Sequence, residues 1–449
     1  MDTSTLFFVH CKKEFLRGVG KIAFVMPKTT VLPAKQHAGF QRYGASAIHD
    51  FSKVSVVGLK NQHFFNVKSC VVIDDGEQAT SSIPMTIWEG VLPRKNLTLR
   101  QTRHLLTATK TTHDFLAWDG TKSPYYDRTF QGATLNPHTL WLVEPDGTVP
   151  LNTSRPILKT SQSAYRLCKE EKWKLRVKGP VEQEFLFATA LSDDILPFFI
   201  RNLTLCVLPV AARGDHYVLM SSEEILGEGF ESASDWVKRA EKIFRKHSKD
   251  TKITAQGYLN YQSKLFDQDP RFRFLVLYNK SGTNISAAYL SASDHRKIGH
   301  LAVQGFVAES VTYRIQVDSE AEARYLTAIL NSGVVNKAIK PYQTEGVYHG
   351  KRDIHRRPFE VCAIRQFNPS EPDHLQLVDL ARAANSTIAK WGPTMEGGLA
   401  KIRETARQLI AAELSRIDSI VTKILGNSIS TKDAAKRRPN AQAPMFDEP

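Results

Sequence analysis

The sequence predicts an α+β protein: a partial α/β sheet at the N-terminus, a mixed α+β body behind it, and helices at the C-terminal end. Three observations predict it. Helix-like and strand-like periods alternate through residues 3–73; short β-type runs separated by turns dominate residues 84–315; and apolar residues stepping by three and four return after residue 371. A chain of 449 residues is long enough for two or three domains, each with its own core.

The first helix is expected over residues 3–16, where Leu6, Phe8, Cys11 and Phe15 fall at near-helical spacing and Lys12, Lys13 and Glu14 lie on the polar side. Arg17-Gly18-Val19-Gly20 breaks it. Ile22-Ala23-Phe24-Val25-Met26 then reads as a buried strand stopped by Pro27, which cannot donate to a ladder. A second short helix follows. Val54-Ser55-Val56-Val57, and Phe64-Phe65-Asn66-Val67 running into Cys70-Val71-Val72-Ile73, supply two more strands, ended by the turn Asp74-Asp75-Gly76. This order is that of the end of an α/β sheet whose front half is expected to lie outside the chain.

In the body, Thr139-Leu140-Trp141-Leu142-Val143, Phe274-Leu275-Val276-Leu277-Tyr278 and Tyr313-Arg314-Ile315-Gln316-Val317 read as strands. A helix over 233–247 carries Trp236, Ala240 and Phe244 on one face and Lys238, Arg239 and Lys242 on the other; another over 319–338 has Ala323, Leu326, Ile329 and Leu330 as its stripe. Near the end, Ile410, Leu414, Ile417, Val421 and Ile424 form a seam too short for a coiled coil, so packing on the body is expected, with Gly426 stopping the helix. Beyond it Lys432, Lys436, Arg437 and Arg438 lie in a tail without core residues, expected to be disordered.

Composition narrows the function. Lys plus Arg is 60 against 46 for Asp plus Glu, a formal charge of +14, which favours an anionic partner such as nucleic acid. No apolar run reaches the roughly 18 residues of a membrane span, and the N-terminus lacks a signal-peptide pattern. The five cysteines (Cys11, Cys70, Cys168, Cys206 and Cys362) are dispersed and sit among apolar neighbours, so buried thiols in a cytoplasmic protein are expected and a disulfide or zinc framework is not. Gly18-Val19-Gly20 precedes its strand, whereas a nucleotide loop must follow one. Glu170-Glu171-Lys172 with Asp146 upstream has the residue types of a nuclease site, but in a chain of 24 % charged residues it reads as a solvated face. No catalytic or metal-binding residues are assigned.

Two segments carry more. Lys122-Ser123-Pro124-Tyr125-Tyr126-Asp127-Arg128, followed by Gln131, sets two tyrosines beside cations, a pattern suited to stacking on bases and pairing with phosphates, or to a turn whose rings pack on the core. His349-Gly350-Lys351-Arg352-Asp353-Ile354-His355-Arg356-Arg357-Pro358 gathers four cations and two histidines within ten residues, which can follow a phosphate backbone or read guanine edges, or form a solvated surface loop in which Asp353 neutralises one charge.

At these residues a family resemblance enters. Thr5 to Val9 through Lys21 to Pro27 resembles the segment of N-6 adenine-specific DNA methyltransferases that follows their catalytic loop, and Phe64 to Ile73 resembles the last hairpin strand of the same sheet. Ser123 to Arg128 with Gln131 to Thr134, and Ala328 to Ser332 with Gly350 to Pro358, resemble that family's target-recognition region. The Gly-rich S-adenosylmethionine loop and the Asn/Asp/Ser-Pro-Pro-Tyr/Phe motif are absent; Ser123-Pro124-Tyr125-Tyr126 is a near miss on the wrong side of the strands.

The resemblance implies a remnant of the methyltransferase sheet over 1–83, a DNA-binding target-recognition domain over 84–370, a helical region over 371–427 and a tail over 428–449. It implies DNA contacts at Lys122, Tyr125, Tyr126, Arg128, Gln131, Lys351, Arg352, His355, Arg356 and Arg357. Because such enzymes extrude the target base, Phe64 and Phe65 become candidates for stacking on it. Double-stranded DNA and a separate chain carrying catalysis are the expected partners, with S-adenosylmethionine held by that other part. The alternative is a catalytically inactive DNA-binding or scaffold protein of a restriction or phage-defence locus.

Overall fold

The computed structural model describes residues 3–16, 20–27, 30, 54–60, 69–74, 83–94, 96–102, 104–113, 122–147, 152–343 and 353–426. The fold is mixed α+β with C-terminal helices. The chain divides into two compact units, one of residues 1–121, 339–353 and 427–449, the other of residues 122–338 and 354–426. Phe64, Phe65, Lys351, Arg352, the expected second short helix, the turn at Asp75-Gly76 and the tail over 428–449 lie outside the described residues.

In the first unit β1 (Ile22–Pro27), β2 (Val54–Lys60), β3 (Ser69–Asp74), β4 (Ile83–Gly90) and β5 (Leu106–His113) form a sheet in the order β1-β3-β2-β4-β5. β3 runs antiparallel to both neighbours, with Val72 opposite Phe24 on one side and Val56 on the other. β2 and β4 are parallel, and β4 and β5 antiparallel. Strand alternation puts Met26, Val56, Cys70 and Val72 on one face, where Phe8 and Val9 of helix α1 (Thr3–Phe15) cover them. Phe8 meets Phe24 edge to face at 5.4 Å, and Lys12 pairs with buried Asp74.

Three expectations change in this unit. The covering face of α1 is Thr5, Phe8 and Val9, while Leu6 and Phe15 stand 57 % and 74 % exposed. Apolar residues occur all round this helix, so the sheet, not the helix, selects which of them are buried. β1 is half-buried rather than buried, with Val25 exposed, because it is an edge strand of the described sheet. The boundary placed at residue 83 falls at the start of β4, which pairs with β2; the sheet runs on to His113 and the unit to residue 121.

The second unit contains β6 (Thr129–Gln131), β7 (Leu142–Pro145), β8 (Ile157–Thr160), β9 (Lys178–Pro180), β10 (Leu186–Thr189), β11 (Thr204–Val207), β12 (Phe274–Asn279), β13 (Ala287–Ser291) and β14 (Thr312–Val317). One sheet has the order β10-β11-β7-β8-β9 and another β13-β12-β14-β6. Residues 139–141, expected as strand, form a helical turn opened by Pro137, and β7 begins only at Leu142. Helix α2 (Glu231–His247) buries Trp236, Ala240 and Phe244 as its spacing predicts, and the Trp236 indole donates to the Leu140 carbonyl at 3.0 Å. The Glu182 carboxylate accepts from the N–H groups of Ser232 and Ala233, closing the helix N-terminus.

The expected helix over 319–338 is two. α3 (Glu320–Asn331) starts at Ser319, whose hydroxyl accepts from the Glu322 N–H, and α4 (Gly333–Ile339) follows a break at Ser332. Asn331 exchanges hydrogen bonds with both N–H and C=O of Ala287, fixing α3 to β13. The C-terminal helices are α5 (Pro372–Trp391), α6 (Leu399–Leu409) and α7 (Ala411–Leu425). Ile417 and Val421 are buried within the unit, and Arg407 reaches in to donate to the Asn331 carbonyl at 3.0 Å. Among the described residues no helix is long and apolar enough to cross a membrane.

A clasp joins the start of this unit to its later part. The Ser123 N–H donates to the Phe359 carbonyl and its hydroxyl to the Ile364 carbonyl. The Tyr125 hydroxyl, on a fully buried ring, donates to the Glu322 carboxylate at 2.8 Å and accepts from the Phe367 N–H at 2.9 Å. Burial pushes this phenol far above its usual range, so it remains a neutral donor.

The substitution Tyr125→Phe leaves the Phe367 N–H without its acceptor and should destabilise the second unit by about 1–3 kcal/mol; a denaturant midpoint equal to wild type contradicts this. Trp236→Ala should cost about 3–5 kcal/mol through the cavity it leaves, read from the same unfolding curves.

Candidate nucleic-acid interface

The two segments singled out by their cations and rings meet in the second unit. β6 joins the sheet beside β14, with Gln131 opposite Tyr313, which brings the preceding turn to that sheet edge. Past the end of β12 the Lys280 carbonyl accepts from the N–H groups of both Ile354 and His355, and the Tyr278 hydroxyl donates to the His355 carbonyl at 2.7 Å. With the Ser123–Phe359 bond, these contacts hold residues 122–131 against residues 354–359.

Their junction is a ladder in which cations and rings alternate. The Lys122 ammonium lies 4.3 Å from the centre of the Tyr126 ring. The Arg356 guanidinium lies 5.4 Å from Tyr126 and 5.4 Å from Phe130, and the Arg314 guanidinium 5.3 Å from Phe130. Ring faces attract cations electrostatically, so two rings offset the mutual repulsion of three positive groups. Arg314 is buried and donates to the Asp267 carbonyl; burial pulls its pKa down to about 10, which leaves it charged at neutral pH. Arg356 is half-buried and Lys122 exposed. Held by its faces, a guanidinium keeps its N–H groups at the edge, free for a phosphate or a guanine.

The other assigned residues have different surroundings. Tyr125 is wholly inside, 6.1 Å from the Phe359 ring, and its surface is used in packing. Arg128 donates to the Gln316 carbonyl at 2.9 Å and faces Glu322 at 3.4 Å, and Gln131 donates to the Ser310 carbonyl. His355 has φ +47°, a left-handed backbone that a non-glycine residue adopts at a cost, and its ring stacks on Tyr313 at 5.9 Å. Arg357 faces Glu360 at 3.9 Å and is largely covered. The ladder thus selects Lys122, Tyr126 and Arg356 from the assigned set. It adds Phe130 and Arg314, whose only signal in the sequence was a charge inside an apolar strand and a ring four residues after Tyr126.

The acidic triplet is a surface charge network. Glu170 pairs with Lys172 at 3.3 Å and Glu171 with Lys174, while buried Asp146 faces Lys159 at 3.8 Å and pairs with Lys178. Among the described residues no group of three His, Cys, Asp or Glu side chains could hold a metal ion. All five cysteines are free. Burial raises the Cys206 and Cys362 thiols, the latter to about 12, so neither is a nucleophile at neutral pH.

No protein-family model and no curated protein matches this chain. Solved structures do. Similarity to the Type IIL restriction-modification enzyme MmeI, solved in complex with DNA, extends over 95 % of this chain and 50 % of that one, with TM-score 0.54 and 10 % identity. The Type IIG restriction endonuclease BpuSI aligns over 94 % of this chain and 49 % of its own, with TM-score 0.28 and 10 % identity. The chain spans about half the length of MmeI and shares the fold of that half.

Proposed function

We propose that this chain is the DNA-recognition portion of an S-adenosylmethionine-dependent, adenine-specific DNA methyltransferase of the restriction–modification type, working with a separate catalytic chain. One arrangement carries this reading: the ladder of Lys122, Tyr126, Arg356, Phe130 and Arg314, which gathers cations from three distant parts of the sequence at one sheet edge. The fold shared with MmeI over 95 % of the chain supports it. So does the antiparallel β3 between β1 and β2, which agrees with a hairpin strand at the end of a methyltransferase sheet.

In this reading Lys122, on a flexible stem, neutralises a backbone phosphate. Arg356, oriented by two rings, pairs with a phosphate or with a guanine edge in two-pronged fashion. Tyr126 and Phe130 position these cations, each ring having two of them within about 5.4 Å of its centre. Phe64 and Phe65 stay candidates for the extruded base, and Lys351 and Arg352 for further phosphate contacts.

Of the grooves described, one sets Glu231 and Asp235 beside Lys178, Lys238, Arg239 and Lys242. In another, lined by Tyr289, Glu320 and Arg324, the Glu320 carboxylate is already engaged by Tyr289 and Arg324. The Gly-rich S-adenosylmethionine loop does not occur in the sequence, so this reading assigns the donor to the partner.

Two measurements test the proposal. The full chain should bind duplex DNA with an affinity that falls steeply with salt. Lys122→Gln and Arg356→Gln together should flatten the log–log salt slope by about 0.9 for each phosphate left unneutralised, with an unchanged melting curve; an unaltered slope removes the ladder from the interface. Co-expressed with a chain bearing the methyl-donor and catalytic motifs, the complex should transfer labelled methyl groups to adenine, and neither chain should do so alone. A complex that binds DNA without methylating it favours the non-catalytic alternative.

A further inference from the structure

We infer that the outer face of α2, together with strand β9, forms a second contact for the DNA backbone, separate from the Lys122–Arg356 ladder; this rests on the reading that the chain binds DNA. The buried face of α2 leaves Lys238, Lys242, Arg245 and Lys246 on the opposite, exposed side at helical spacing. Among the described residues no carboxylate lies within ion-pairing distance of any of the four. A helix dipole accounts for cations in the last turn, such as Arg245 and Lys246, but gives no reason for Lys238 and Arg239 at the middle of the helix.

Beside this stripe lies a groove of about 630 Å³ between α2 and β9, lined by Lys178, Lys238, Arg239 and Lys242 with Gly179 among its walls. Arg239 is held ready there. One Nη donates to the Lys178 carbonyl at 2.8 Å, and the guanidinium lies 5.6 Å from the Trp236 ring. The second Nη rests where a side chain at position 179 would stand: a Cβ on Gly179 would come within 2.6 Å of it. Glycine at this position therefore lets the guanidinium lie across the strand. Glu231 and Asp235 close the groove at the helix N-terminus, so the anion track runs the other way, from Arg239 towards Lys246. Those cations extend over about 10 Å of helix, about three phosphate spacings along one DNA strand. A row of cations on that scale fits a repeating polyanion better than a single phosphate.

The test uses the full chain, a fluorescent duplex and the triple variant Lys238→Gln, Lys242→Gln, Lys246→Gln, with melting curves as a folding control. The salt slope should fall by about 0.9 for each phosphate no longer neutralised, up to about 2.7. Gly179→Ala, which changes no charge but displaces Arg239, should weaken binding several-fold. If both leave DNA binding as in wild type while Lys122→Gln with Arg356→Gln flattens the slope, the second contact is wrong and the ladder stands. If wild type itself does not bind duplex DNA, both readings fall. If the triple variant no longer binds anionic phospholipid vesicles but still binds DNA as wild type does, the face serves another polyanion and the inference is overturned.

Discussion

The Tyr125 hydroxyl makes the interaction on which the candidate site depends. It sits between a carboxylate on α3 and the N–H of Phe367, on a ring with no exposed surface, so one atom ties three stretches of chain together. Ser123 adds two bonds to the carbonyls of Phe359 and Ile364 on the same side. A buried donor with both partners in place is stable; with one removed, the remaining group bears a desolvation penalty that water cannot relieve. The clasp works with the Lys280 carbonyl and the Tyr278 hydroxyl, which bond Ile354 and His355, to hold residues 122–131 against residues 354–359.

That placement makes the positive charge useful. Lysines and arginines spread over a surface attract any polyanion weakly and orient none. Here Tyr126 and Phe130 separate the three cations of the ladder and hold them in sequence, and Arg314 is anchored in the interior. The ordering entropy of Arg356 is therefore met within the fold before any ligand arrives, which is the condition for specific pairing rather than loose attraction. The outer face of α2 follows another design, a stripe of exposed, flexible cations suited to sequence-independent contact.

Much of this architecture was legible in the sequence where local rules dominate. The spacing of Trp236, Ala240 and Phe244 defined α2 and its buried face, and the β-type runs at 274 and 313 became β12 and β14. The misreadings have physical causes. α1 is apolar around most of its circumference, so its periodicity did not single out the face that Met26, Val56 and Val72 would cover. Ser332 broke a helix whose apolar stripe ran straight through, because its backbone is extended and its hydroxyl accepts from the Val335 N–H to open α4. The segments around Tyr126 and Arg356 were visible as compositions. Their junction was not, since it rests on hydrogen bonds from the Ser123 N–H and hydroxyl to carbonyls more than two hundred positions away, and Phe130 and Arg314 acquire their role only through it.

The central claim, that the ladder faces DNA, is tested most directly by lysine acylation of the full chain followed by mass spectrometry, with and without saturating duplex. Lys122 should become less reactive on DNA binding while Lys401, exposed on α6, keeps its own reactivity. Equal reactivity of Lys122 in the free and DNA-bound chain would contradict the account.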